Sequence, residues 1–238
     1  MDQKNPAELR GCALIPAYLE ERRIRGVVRD ALQYVQRIVV IDDGSPDRTA
    51  AEASAAGAVV IKHEKNLGKG AALNTGFAYA IKQQCDYLIT MDADGQHFPG
   101  DIPLFIETFK RTGIPILVGN RLADPKGMPL VRKLTNIFMS WYLSRQIGQH
   151  VPDTQCGYRL YAAQALPYLA AESSRYAAES ETLLSAAAQN IKIGSVPIKV
   201  IYGDEKSKIR PVRDTLRFFA MIRNFRRKIK ARPTLPNE

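Results

Sequence analysis

Through its first half the chain alternates short apolar runs with longer helix-forming stretches, and few folds accept that alternation. Strand-like runs fall at Ala13–Ile15, Arg37–Ile41, Ala58–Lys62, Tyr87–Met91 and Pro115–Val118, all rich in Val, Ile or Leu. Between them lie Glu20–Tyr34, Asp47–Ala56, Ala71–Gln84 and Ile102–Arg111, all of helical composition. Short continuous apolar runs suit strands buried on both faces, which strand–helix–strand crossovers produce. The chain is therefore expected to be α/β, a mainly parallel sheet with helices on both faces. Gly57 and Gly113 stand where the second and fourth helices should stop.

The second half is less regular. Pro129–Gly148 reads as a helix with apolar positions Leu130, Leu134, Ile137, Phe138, Trp141 and Tyr142. Tyr158–Ala162 is strand-like, Ala177–Asn190 helical, and Ile191–Ile201 strand-like, with Pro197 suggesting an edge or a bulge. The 238 residues suffice for one domain with a sizeable core, expected over 1–210, followed by a basic tail over 211–238.

Charge is placed unevenly. Of the net +10, residues 205–232 carry eleven Lys or Arg against Glu205 and Asp214, which leaves the rest of the chain near +1. A basic end on a neutral body predicts a surface-docking tail rather than a nucleic-acid-binding protein. Val212, Leu216, Phe219, Ile222, Phe225 and Ile229 recur there at helical spacing, with Arg213, Arg217, Arg227 and Lys228 mainly on another face. Such a helix suits the surface of an anionic membrane, or else packs on its own domain or a partner. No apolar run approaches the roughly 18 residues of a membrane span, and no leader-like N-terminus is visible. A peripheral protein at the cytoplasmic face of a membrane is the expectation. Cys12, Cys85 and Cys156 have no metal-like spacing, so reduced thiols are expected, with Cys12 in the core.

Three segments carry chemistry. Tyr87–Met91 ends in Asp92-Ala93-Asp94-Gly95-Gln96-His97, two carboxylates one residue apart at a strand tip. Open α/β sheets bind ligands at such tips, and hard oxygen atoms suit a divalent cation that keeps positions open for a diphosphate. Ile41-Asp42-Asp43-Gly44-Ser45-Pro46-Asp47 ends another strand in paired acids, with Ser45 or Asp47 able to cap the next helix. Asn66-Leu67-Gly68-Lys69-Gly70 sets two glycines around a lysine at a helix start, where amides and the helix dipole favour an anion. The spacing is not that of a P-loop.

In order and spacing, these segments resemble family 2 glycosyltransferases of the GT-A fold, and most closely the dolichyl- and polyprenyl-phosphate sugar synthases. Leu14–Glu20, Val39–Thr49, Asn66–Gly76, Met91–Gln96, Gly119-Asn120-Arg121 and Pro152–Arg159 carry the resemblance through most of residues 11–210. One departure is plain: Leu19 stands where the family usually has Asn. The resemblance implies a nucleotide-sugar donor, UDP- or GDP-linked, bordered by Pro16, Tyr18 and Glu20, with Asp43 on the base edge. It implies Mg²⁺ or Mn²⁺ on Asp92, Asp94 and Gln96, Ala93 against the ribose, and Lys69 near the leaving diphosphate. His97 is read as structural.

For the acceptor, the resemblance places Arg121 with Lys208 and Arg210 on the phosphate of a polyprenyl carrier. Asp153 would be a base for a hydroxyl acceptor or a grip on the sugar. A phosphate acceptor is already anionic and needs cations rather than a base; a hydroxyl acceptor must lose a proton to a nearby carboxylate. Transfer would invert the anomeric centre, with Asp94, Arg121 and Asp153 nearest the chemistry. A non-catalytic nucleotide-sugar-binding protein is the rival from another class. The sequence leaves the oligomeric state open.

Overall fold

The computed structural model describes residues 9–169, 177–200 and 218–227. Seven strands form one sheet: β1 (Gly11–Ala17), β2 (Arg37–Asp42), β3 (Val59–Lys62), β4 (Tyr87–Thr90), β5 (Ile116–Asn120), β6 (Arg159–Ala162) and β7 (Ile193–Pro197). Their order is β3-β2-β1-β4-β6-β5-β7. All neighbours are parallel except β6, which runs antiparallel to both β4 and β5. The helices are α1 (Ile24–Ala31), α2 (Thr49–Ala55), α3 (Lys69–Lys82), α4 (Ile102–Thr112), α5 (Leu130–Ile147) and α6 (Ala177–Ala187). Residues 218–227 are also helical.

The central strands are buried along almost their whole length, as the apolar runs require. α3 packs on β1 and β2, and α4 on β6 and β7. α3 approaches β1 closely because Gly76 has no Cβ; one placed there would lie 2.3 Å from both methyl carbons of buried Leu14. Gly113 ends α4 in the left-handed conformation, as expected.

The chain moves outward from β1 to β2 and β3, then returns to place β4 on the other side of β1. That reversal opens a crevice beyond the carboxyl ends of β1 and β4, the position where open α/β sheets bind ligands. Leu14 pairs with Thr90 and Ala17 with Asp42, so Pro16 to Tyr18, Asp42-Asp43 and Asp92 gather at one edge.

Two expectations change. Cys12 and Cys85 form a disulfide instead of standing as reduced thiols; β1 pairs with β4 beside them, and their Cα atoms are 6.2 Å apart. Only Cys156 is free among the described residues. The apolar side of residues 218–227 is not open to a membrane. Phe218, Met221 and Ile222 are buried, and Phe218 and Phe219 lie edge-on to Tyr142 of α5. Arg226 also hydrogen-bonds Gln146. Of the expected basic helix, Val212, Leu216 and Ile229 lie outside the described residues, as do Lys208 and Arg210.

Candidate active site

The three loops at the crevice are tied together by side chains that the sequence offered as ligands. Asp43 is buried; its Oδ1 accepts from Leu67 N at 2.9 Å and pairs with His63 Nδ1 at 2.8 Å, and its Oδ2 accepts from Gly68 N at 2.7 Å. Asp43 thus orders the Gly68-Lys69-Gly70 turn, with both oxygens engaged inside the protein. Asp42 Oδ1 accepts from Ser45 N, and Asp47 Oδ1 from Thr49 N, so Asp47 takes the capping part. Ser45 Oγ accepts from Leu19 N, and Thr49 Oγ1 from Glu20 N. The first loop is therefore hung on the second. Tyr18 is exposed, Pro16 half-buried, and Glu20 buried with Oε2 at 3.4 Å from Arg23.

Past β4, Asp92 and Asp94 lie on one turn that Gly95, at φ 76°, reverses. Asp94 Oδ1 accepts from Gln96 N at 3.0 Å, which closes the turn, and Ala93 is buried beneath it. His97 is buried and stacked on Tyr158, and its Nδ1 accepts from Asp92 N at 3.0 Å. An accepting Nδ1 makes His97 a neutral Nε2–H tautomer, with Nε2 3.7 Å from Asp92 Oδ2. Burial, reinforced by Arg121 and Lys69 against the pull of Asp92, lowers its pKa to about 4. His97 shapes the turn, in line with its structural reading.

A cation of the protein already sits at Asp92. Lys69 Nζ lies 2.5 Å from Asp92 Oδ1 and 2.5 Å from Glu179 Oε1 of α6. Burial alone would favour the neutral amine, but the two carboxylates hold Lys69 charged, well above the usual lysine range. Burial likewise opposes charge on Asp92, yet Lys69, His97 and Arg121 keep it well below the usual carboxylate range. Lys69 is the first residue of α3, whose N-cap Gly68 offers no side-chain acceptor, so the positive end of the helix dipole lies at Lys69. Among the described residues, no three His, Cys, Asp or Glu side chains are arranged to hold a metal ion. Asp92 and Asp94 still fit a hard divalent cation, since Asp92 already attracts a positive charge and a donor diphosphate would add oxygen ligands.

Arg121 and Asp153, expected to act separately, form one unit. Arg121 Nε and Nη2 donate to Asp153 Oδ2 at 2.7 Å and Oδ1 at 2.9 Å, and Arg121 N adds a 3.2 Å bond. Both side chains are buried. Both oxygens of the Asp153 carboxylate are thus committed to the guanidinium fork.

Arg159 and Glu179 were not singled out from the sequence. Arg159 is fully buried and donates to Thr154 O, Cys156 O, Glu179 O and Thr182 Oγ1. It fixes the 153–157 loop and the start of α6 together. Gly157, in that loop, lies against the Lys69–Asp92 pair; a Cβ there would stand 3.2 Å from Nζ. The one signal was four consecutive polar residues, Glu179 to Thr182, in an Ala-rich helix, and all four are buried.

The family model for glycosyl transferase family 2 matches residues 12–168. The chain belongs to that family. This family 2 glycosyltransferase is 35% identical over 212 residues to the UDP-N-acetylglucosamine–dolichyl-phosphate N-acetylglucosaminyltransferase of Methanococcus voltae, over 79% of this chain and 84% of that one. It is 29% identical over 207 residues to the undecaprenyl-phosphate mannosyltransferase of Micrococcus luteus, over 81% and 84%. Glucosyl-3-phosphoglycerate synthase from Mycobacterium tuberculosis, solved with Mn²⁺, UDP and phosphoglyceric acid, superposes with a TM-score of 0.71 at 21% identity, over 92% of this chain and 79% of that one. The fold is GT-A, and the protein is a glycosyltransferase of the polyprenyl-phosphate sugar synthase-like branch.

Proposed function

We propose that the enzyme moves a sugar from a nucleoside-diphosphate donor to a polyprenyl phosphate at a membrane surface, with inversion. The observation that carries the choice of acceptor is the Arg121–Asp153 pair: the acid placed to serve a hydroxyl acceptor is held by a guanidinium. A phosphate acceptor needs no base, because its oxygen is already anionic. The dolichyl-phosphate and undecaprenyl-phosphate transferases among the relatives support the same acceptor class.

In the reaction, an acceptor phosphate oxygen bonds to the anomeric carbon as the carbon–oxygen bond to the donor diphosphate breaks. Asp92 and Asp94, with Gln96 beside them, would hold Mg²⁺ or Mn²⁺; a structural neighbour solved with Mn²⁺ and UDP supports a divalent ion. That ion would supply positive charge to the departing diphosphate. Lys69 and the first amides of α3 stabilise the same negative charge. Pro16, Tyr18 and Glu20 border the nucleotide from the first loop, Ala93 touches the ribose, and Asp43 acts through the turn it orders. Arg121, its fork oriented by Asp153, positions the acceptor phosphate, and Lys208 and Arg210 are proposed to complete that clamp.

The lipid would approach along α5. Leu130, Leu134, Ile137, Phe138 and Trp141 are exposed, and Arg145 lies over the Trp141 ring at 4.9 Å. A groove of about 600 Å³ lies between Ile137, Trp141, Arg145 and Pro152. Residues 125–152 and 218–227 hold seven Lys or Arg and no acid, which suits an anionic leaflet. No described helix is long and apolar enough to cross a membrane. We propose that the enzyme acts peripherally, at the cytoplasmic face, with no nucleic-acid partner; the exposed apolar side of α5 and the excess of cations support this reading.

The test is a panel of UDP- and GDP-sugars with undecaprenyl phosphate and Mn²⁺ or Mg²⁺. The expected product is a lipid-linked sugar, lost in Asp94→Ala and reduced by at least about a hundredfold in Arg121→Ala. Preferential transfer to a glycan hydroxyl, with Arg121→Ala still active, overturns the lipid-phosphate reading.

A further inference from the structure

Lys69 stands between two carboxylates, and one of them has unused capacity. Its ammonium has three protons to donate, with Asp92 Oδ1 and Glu179 Oε1 both at 2.5 Å. Glu179 Oε2 is buried and has no hydrogen-bond partner among the described residues. A buried carboxylate oxygen without a donor is costly, so its persistence beside an ammonium needs a reason. The carboxylate is also rigidly mounted. The Glu179 carbonyl accepts from Arg159 Nη1 at 2.6 Å and from Thr182 Oγ1 at 2.8 Å, which pins the start of α6.

A divalent ion on Asp92 would repel an ammonium bonded to the same carboxylate, and repulsion is strong where water is excluded. Without a second anion, Lys69 would be left charged and buried, or would hold Asp92 against the incoming ion. Glu179 removes that conflict. The small Gly157 leaves room beside Nζ, since any Cβ there would press on both Nζ and the Asp92 carboxylate.

We propose that Lys69 is a resident counter-cation with two stations: it bridges Asp92 and Glu179 before the divalent ion binds, then withdraws onto both oxygens of Glu179. Glu179 is thus a positioning residue, acting on the ion site only through Lys69. The handover leaves the ammonium at the start of α3, where the donor diphosphate is placed, and the competition for Asp92 disappears. The inference rests on the reading that Asp92 and Asp94 bind a divalent ion.

The test is binding of Mn²⁺ alone, without nucleotide, followed through the paramagnetic resonance signal of the free ion. Glu179→Gln leaves Lys69 with Asp92 only and weakens Mn²⁺ binding by about tenfold or more. Lys69→Met removes the competitor and tightens binding. The Lys69→Met/Glu179→Gln double variant stays within about threefold of Lys69→Met, because Glu179 no longer has anything to hold. A double variant weaker than that makes Glu179 a direct ligand and overturns the proposal, as does Lys69→Met binding no tighter than wild type. A crystal of the wild-type protein with Mn²⁺ alone gives a check independent of any variant's folding. Nζ clear of Asp92 and bonded to both Glu179 oxygens supports the handover; Nζ still on Asp92 beside the bound ion overturns it. Wild-type protein that binds Mn²⁺ neither alone nor with UDP, in step with Asp92→Asn, overturns the ion reading itself.

Discussion

At the scale of single residues, the departure from the family pattern at Leu19 coincides with backbone strain. Leu19 has φ 59°, in the left-handed region, and is 51% exposed. A Cβ-bearing residue there costs about 1–2 kcal/mol, and Asn tolerates it better than Leu. Leu19→Asn should therefore raise stability by about 0.5–1 kcal/mol, read as a higher urea midpoint at unchanged slope. His97 gives a prediction with the opposite flavour. Its pKa is near 6.5 in the unfolded chain and about 4 when folded, so the unfolded state binds the extra proton between those values. Stability due to His97 is full above pH 6.5 and is lost as pH falls toward 4, by up to about 3 kcal/mol. His97→Asn, whose Oδ1 can accept from Asp92 N in place of Nδ1, should flatten that slope in metal-free urea titrations. An equally steep slope in the variant would assign it to other groups. The carboxylates Asp92 and Asp94 were legible in the sequence because they are neighbours at a strand end. Glu179 was not, since it meets Lys69 only after 109 intervening residues have folded. The bond between Arg121 and Asp153 was hidden for the same reason, although each residue was singled out.

Among the elements, the parallel half was read almost strand for strand, because buried strands leave continuous apolar runs. The limits moved by a few residues: β1 extends over Gly11–Ala17 rather than Ala13–Ile15, and α1 shrinks to Ile24–Ala31. At α1 the cause is local, since Glu20 N bonds Thr49 Oγ1 and Glu20 O accepts from Arg23 and Ile24, which makes a turn before the helix. Composition could not reveal that β6 runs antiparallel, because strand direction depends on how the 120–158 connection crosses the sheet. The fit of α3 to β1 was equally invisible, as a glycine within a helical stretch usually signals only lower propensity. Gly76→Ala raises helix propensity yet drives a methyl into buried Leu14 on β1. Overpacking of this kind costs about 1–3 kcal/mol, so the variant should melt below wild type despite its better helix former. An unchanged or higher melting temperature would mean that Leu14 repacks without strain.

For the whole molecule, the sequence suggested either membrane docking or packing for the apolar stripe of the tail; in the described residues 218–227 it packs, and the proposed docking surface is α5. A periodic apolar stripe does not say what covers it. In residues 218–227 the stripe is covered by α5, while the outer side of α5 itself is left exposed, with Leu130 at 67% and Trp141 at 51%. Arg223, Arg226 and Arg227 are exposed on the 218–227 helix, and Arg226 hydrogen-bonds Gln146 of α5. On the proposed reading, an apolar strip on α5 with cations nearby would hold the lipid chain in the leaflet while its phosphate is turned over. Attachment should then have two separable parts. Salt weakens the cationic part within a Debye length of about 8 Å at physiological ionic strength, but leaves the apolar part. Leu134→Ser with Trp141→Ser removes two large apolar contacts and should lower binding to phosphatidylglycerol-containing vesicles by about tenfold or more, at low and high salt alike. Arg223→Gln with Arg227→Gln should weaken binding chiefly at low salt. Cosedimentation measures both, and turnover of a short, water-soluble prenyl phosphate separates attachment from chemistry, since all four substitutions lie outside the catalytic cluster. Vesicle binding that ignores the α5 pair and follows only the arginines would return the docking role to the tail.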